Sequence, residues 1–220
     1  MNKERIDYIL AQAQAEAIPQ SKYKFDSSLL NDITEILFKH YAILVIKRGM
    51  KIRNEKDSYQ KCLMCAKWLT DDKRKASLLL YGLVGSGKST LLNAIYNTIY
   101  EINESKTLYR AKATKLSEIY ENNFEDIEKC MTAKFQFVLI DDAGEENLEA
   151  RKKYSKETVL LLNEILNARY DKQLPTILTS NLSDDNAGVN EFKERYGDRF
   201  ADRMVEMFDK IYFDSESYRE

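Results

Sequence analysis

The sequence predicts an α/β protein built on a doubly wound, five-stranded parallel sheet flanked by helices. Three observations predict it. Residues 82–89 read Gly-Leu-Val-Gly-Ser-Gly-Lys-Ser, between the apolar run Ser77–Tyr81 and the helix-like run Leu91-Leu92-Asn93-Ala94-Ile95. Five short apolar runs follow in series, the first four separated by helical patterns. The chain is also poor in breakers: with 7 Gly and 2 Pro among 220 residues, 44% of them apolar, it can fill one core and carry an extension.

Taken in order, residues 2–17 read as a helix ended by Pro19; Ala11–Ala17 has strong helix propensity but little to bury. Ser27–Ile46 is a second helix, with an apolar stripe through Ile33, Ile36, Leu37 and Leu44 that also carries His40, the one histidine, as a packed side chain. Gly49–Asn54 is a basic break, and residues 55–70 form a third helix that sets Cys62, Cys65, Ala66 and Leu69 on one face. The predicted strands are Ser77–Tyr81, Lys106–Arg110, Phe135–Ile140, Pro175–Ser180 and Lys210–Phe213. The predicted helices between them are 88–101, 114–130 and 157–170. A short helix opens at Gly197-Asp198, with Asp198 as its N-cap and Phe200, Met204 and Phe208 on its buried side. These elements divide the chain into a helical extension, 1–50, and an α/β core, 51–220.

Composition removes several classes. A net charge of −2, from 34 basic and 36 acidic residues, is not that of a protein that coats nucleic acid, so any such contact must come from local patches or from several subunits together. No apolar run approaches the roughly 18 residues of a membrane helix, and Met1–Arg5 has no signal-peptide core, which points to the cytoplasm. The three cysteines lack disulfide spacing. Cys62-x-x-Cys65 reads as core packing, because a zinc site needs two more ligands.

The glycine-rich segment carries the chemistry. It matches G-x-x-x-x-G-K-S/T in the strand–loop–helix setting that gives the motif meaning. Gly82, Gly85 and Gly87 let the backbone curl with its N–H groups inward, and the next helix adds the positive end of its dipole. Ser86, Thr90 and the three glycines are the expected ATP contacts; Lys88 reaches the β- and γ-phosphates, and Ser89 places its hydroxyl on Mg²⁺. The strand Phe135–Ile140 runs into Asp141-Asp142, an apolar strand ending in acid. Asp141 is expected to hold Mg²⁺, and Asp142 to orient or deprotonate the attacking water. Pro175–Ser180 ends at Asn181, which either bonds the γ-phosphate or the water, or starts a turn. Arg199 and Arg203 lie four apart, either as arginines that meet a neighbouring subunit's phosphate or as surface partners of Asp198, Asp202 and Glu206.

Together, Ser77–Leu92, Phe137–Glu145, Leu166–Ser183 and Tyr196–Arg219 resemble the DnaC/DnaI group of bacterial helicase loaders, AAA+ ATPases with the IstB transposition helpers as relatives. The likeness spans roughly residues 55–220. It implies an AAA+ type P-loop fold, ATP hydrolysis, a role in DNA replication, and a replicative DNA helicase and single-stranded DNA as partners. It also implies self-association on nucleotide binding, with Asn181 as sensor 1, Arg203 as the arginine acting on the next subunit's ATP, and Arg219 at the sensor 2 position. Only Asp214–Glu220 follow the last strand, so no C-terminal helical lid is expected, and residues 1–50 would be the end that docks a partner. Lys73-Arg74-Lys75, Lys112 with Lys115, and Arg151-Lys152-Lys153 are the basic runs available to single-stranded DNA. Three other readings stay open: an IstB-like helper that binds DNA and a transposase, a P-loop kinase, and an adaptor that binds ATP with little turnover.

Overall fold

Leu78, Leu79 and Leu80, successive residues of one strand, are all but inaccessible to solvent, which is possible only where both faces of a sheet are covered. The computed structural model describes residue 5 and residues 23–103, 107–145, 155–182 and 191–214. The helix expected over 2–17, the basic run 151–153 and Arg219 lie outside these apart from Arg5.

The strands are β1 (Ser77–Gly82), β2 (Leu108–Lys112), β3 (Phe137–Ala143), β4 (Thr176–Ser180) and β5 (Phe208–Phe213). They form one sheet in the order β2-β3-β4-β1-β5, every neighbouring pair parallel. This is the predicted five-stranded parallel sheet. Each return therefore crosses over a face, and all strands end on the same edge.

The helices are α1 (Leu30–Lys47), α2 (Glu55–Thr70), α3 (Lys88–Ile102), α4 (Leu116–Asn122), α5 (Phe124–Cys130), α6 (Ser155–Asp171), α7 (Glu191–Tyr196) and α8 (Asp198–Met207). Strand side chains alternate between the two layers, as the pleat requires. Leu78, Leu80, Leu139 and Ile177 face α1–α3, while Leu79, Val138, Ile140 and Leu178 face the layer that includes Leu116, Ile127, Leu162, Ile165 and Phe200.

Several details depart from expectation. Strand β2 starts two residues later than predicted. The single helix expected over 114–130 is two helices and a 3₁₀ turn, broken at Asn123. There φ is −152° and ψ is 67°, and the Asn123 amide donates to Asp126 (2.6 Å), a local bond of the kind that competes with helix. Helix α8 is capped by Gly197 at φ +89°, not by Asp198; Asp198 is its first residue and pairs with Lys193 (2.9 Å). Phe208, expected on that helix, opens β5.

Helix α1 buries Ile33, Leu37, Tyr41 and Val45 in the same core as Leu91, Leu92, Ile95 and Ile99 of α3. The core thus runs across residue 50, and α1 is a wall of the nucleotide-binding domain. His40 joins these two helices through Glu101 (2.8 Å). Cys62 and Cys65 are fully buried beside Leu69; burial pushes the Cys62 thiol up to about 12 and that of Cys65 well above its ordinary value, so both pack as apolar groups. Arg74, expected in a basic surface run, is buried as well, 3.9 Å over the Trp68 ring and bonded to the carbonyls of Ala76 and Tyr23.

Arg169 closes the other end of the sheet. It is wholly buried, and burial lowers its guanidinium to about 10, which leaves it charged at neutral pH. It donates to Thr176 Oγ1 (2.8 Å) and to the carbonyls of Cys130 (2.8 Å), Phe135 (3.2 Å), Gln136 (3.0 Å) and Pro175 (2.7 Å). One side chain thus ties α6 to the end of α5 and to the entries of β3 and β4. Arg169→Met is expected to lower stability by roughly 3–5 kcal/mol, because it strands several buried carbonyls at once. Urea unfolding monitored by circular dichroism checks this; a loss below about 1 kcal/mol would show that water meets those carbonyls.

Candidate functional site

The site forms where β1, β3 and β4 end. Strand β1 closes at Gly82 (φ +124°), where a Cβ would lie 2.3 Å from the Phe213 carbonyl oxygen, so only glycine passes the end of β5. Leu83 N–H then donates to that same carbonyl (2.9 Å). Gly85 (φ +79°) and Gly87 (φ +99°) turn the loop into the first turn of α3. Ser86, predicted as a ligand contact, is buried and braces the loop from within by donating to Leu83 O (2.7 Å). Lys88 folds back over the loop, its ammonium on the carbonyls of Gly82 (2.8 Å) and Leu83 (2.7 Å).

Helix α3 has no side-chain cap at Gly87 and no acid in its first turn. Its positive end therefore faces the cleft with no acid of its own helix against it, which suits phosphate. Ser89, Thr90, Asp142 and Asn181 line the same cleft, so the predicted residues converge.

The acid pair arrives by an irregularity. Ile140 pairs with Leu178 and Ala143 with Ser180, so Asp141 and Asp142 together oppose the single residue Thr179. This is a β-bulge, and Asp142 sits at φ +60°, which a non-glycine residue seldom adopts. The Thr179 hydroxyl accepts from Asp142 N–H (2.8 Å) and donates to Asp141 Oδ1 (2.5 Å). It is the Asp142 carboxylate, not that of the buried Asp141, that faces Ser89 (Oγ to Oδ1, 3.5 Å). Lys112, expected in a basic patch, pairs with Asp142 instead (3.2 Å), and Lys115 with Glu118 (2.7 Å). Ser180 donates to Ala143 O (2.6 Å), and Asn181 to Glu145 (2.6 Å). Thr179, Ser180 and Asn181 thus clip the tip of β4 to the tip of β3.

A second wall was not foreseen. Helix α1 ends at Lys47, and the reversal at Gly49 (φ +73°) brings Arg48 and Met50 to the cleft beside Tyr41 and Val45. Arg48 donates to Thr90 Oγ1 (2.8 Å). The basic break Gly49–Asn54 was the only hint, since Thr90 is 42 residues away.

Arg203 is not brought to the P-loop of its own chain. It donates to Asn167 and lies 5.0 Å over the Tyr170 ring, while Arg199 on the same helix is exposed.

The arrangement fits a polyphosphate with a hard cation. The Ser89 hydroxyl and the Asp142 carboxylate are oxygen donors close enough to share a small ion that keeps most of its waters. Among the described residues no group of three or more His, Cys, Asp or Glu side chains is placed to hold a metal ion.

Fold and site together define an α/β protein whose P-loop sits at the carboxyl-end edge of a five-stranded parallel sheet. Its sheet resembles that of the DnaC helicase loader, with 19% identity, a TM-score of 0.55, and coverage of 70% of this chain and 89% of that one. DnaI matches with 21% identity and a TM-score of 0.51 over 73% of this chain and 87% of that one. The replication initiator DnaA bound to AMPPCP and single-stranded DNA matches with 15% identity and a TM-score of 0.54; it covers 79% of this chain, which spans 50% of the DnaA chain. The family model that matches is the viral superfamily 1 RNA helicase core domain, over residues 78–164, the stretch from the P-loop strand past the acid pair. No curated protein matches the sequence.

Lys88→Ala is expected to abolish binding of a fluorescent ATP analogue; binding equal to wild type would overturn the P-loop assignment. Arg48→Ala is expected to weaken ATP and ADP alike, by about tenfold, since a bond to a charged donor near Thr90 does not depend on the γ-phosphate. Titrating both nucleotides against the variant checks it.

Proposed function

We propose that the chain is an ATP-hydrolysing AAA+ protein of DNA replication that acts as a helicase loader, with ATP shared between neighbouring subunits. One observation carries the reading: the acid pair and the P-loop meet across β4 in a loader-like fold, while Arg203 lies on α8 away from its own P-loop. In this reading Gly82–Thr90 and Arg48 hold the phosphates, and Tyr41, Val45 and Met50 provide an apolar wall for the base. Ser89 with one carboxylate of the pair Asp141–Asp142 would hold Mg²⁺, which when bound screens the phosphate charge. One of the two carboxylates is left to orient the water, and Asn181 bonds the γ-phosphate once released from Glu145. Arg203 of the next subunit completes the site, with Arg199 as the exposed alternative. Arg219 stays the expected sensor 2 residue.

The partners follow from the same likeness: a replicative helicase and single-stranded DNA, the latter in keeping with the DnaA complex. Among the described residues no helix is long and apolar enough to cross a membrane, and the proposed place of action is the cytoplasm. The match to a viral helicase core favours one second reading, a motor that tracks along nucleic acid. A strand-displacement assay with the chain alone separates the two.

Native mass spectrometry of the chain with the replicative helicase of its host, in ATP and in ADP, is expected to show a nucleotide-dependent complex of defined stoichiometry. No complex in either state would overturn the loader reading and make a transposase the next partner tested. Arg203→Ala is expected to bind ATP but not hydrolyse it. Mixed with Lys88→Ala it should regain activity, because the two variants assemble one intact shared site; normal assembly without rescue would exclude an arginine acting between subunits.

A further inference from the structure

We infer that Thr179 is a positioning residue for hydrolysis: its hydroxyl holds the bulge that turns the Asp142 carboxylate toward Ser89. The inference rests on the ATPase reading above. In a regular ladder Asp141 and Asp142 would each face a residue of β4 and point to opposite sides of the sheet. Here both face Thr179, and Asp142 takes a left-handed backbone that a residue with a Cβ resists. Something must hold that conformation in place.

The chemistry of the contact fixes its direction. A backbone N–H can only donate, so at Asp142 N–H the hydroxyl is an acceptor, and its own proton goes to Asp141 Oδ1. One group thus satisfies the N–H that the bulge leaves out of the ladder and also fixes the neighbouring carboxylate. Thr179 is itself almost inaccessible, at 1% exposure, so water does not readily replace it. Without the hydroxyl, a buried N–H and a buried carboxylate oxygen lose this partner. Regular pairing then becomes the better state, and it carries the Asp142 side chain away from Ser89.

Thr179→Val keeps the shape and removes the hydroxyl; Thr179→Ser keeps the hydroxyl. Steady-state turnover, affinity for a fluorescent ADP analogue and thermal unfolding are measured for both. The valine variant is expected to bind ADP within about threefold of wild type and to lose about 10²-fold in kcat, the scale of a catalytic group misplaced by about 1 Å. The serine variant is expected within about threefold of wild type. A valine variant with wild-type kcat, or valine and serine equally slow, would overturn the inference. If the valine variant does not fold, Thr179→Cys, whose S–H is a weak donor, takes its place and is expected at least tenfold below serine. Turnover by wild type and none by Asp142→Asn upholds the ATPase reading whatever Thr179 does; no turnover by wild type under any condition removes both.

Discussion

Strand β4 sits between β1, which feeds the P-loop, and β3, which ends in the acid pair. The rest of the site depends on that placement. Neighbouring strands are about 4.8 Å apart, so the two functional tips are separated by about 10 Å. That gap suits phosphate oxygens and a hydrated cation, and it is spanned from the middle by the polar tip of β4. Because every ladder is parallel, the tips share one edge, and α3 and α1 end or begin there too. On the other side of β1, Phe213 presses against Gly82 so closely that no side chain fits, which fixes where the loop leaves the sheet.

Local signals made the frame legible. The P-loop glycines, the apolar strands and helix 55–70 are written in neighbouring residues, and each lies within about three residues of its expected position, the largest difference being β3, which runs on to Ala143 rather than stopping at Ile140. What escaped depends on residues far apart in the chain. The bulge at Asp141-Asp142 exists only against Thr179, 37 residues on from Asp142, and nothing in Ile-Asp-Asp-Ala announces an extra residue. Arg48 reaches Thr90 only because α1 and α3 share a core. Arg74 reads as part of a basic surface run and nothing near Arg169 marks it for burial, yet stacking on Trp68 in one case and five neutral oxygens in the other take them inside.

Arg169 also explains why the opposite end of the sheet is shut. The entries of β3 and β4 present carbonyls in a buried setting, and a buried polar group left unpaired costs about 1–3 kcal/mol. A planar guanidinium can meet several of them at once, where a lysine would offer a compact point charge. With that end closed, the edge where the strands finish is the one that carries the cleft.

Two forces act on Asp142, and they differ in kind. The ion pair with Lys112 has side chains 60% and 29% exposed, and a pair in that setting is worth about 0–1 kcal/mol and weakens with salt. The bulge is held within the sheet by bonds from a residue almost closed to water, where losing a partner costs more than an exposed pair can supply. The direction of the carboxylate is therefore set by the backbone, and Lys112 only occupies what is already aimed. A cation bound between Ser89 and Asp142 can displace the lysine at small cost without disturbing the strand. The exposed contact is the adjustable part of the site, and the buried hydroxyl is the fixed part.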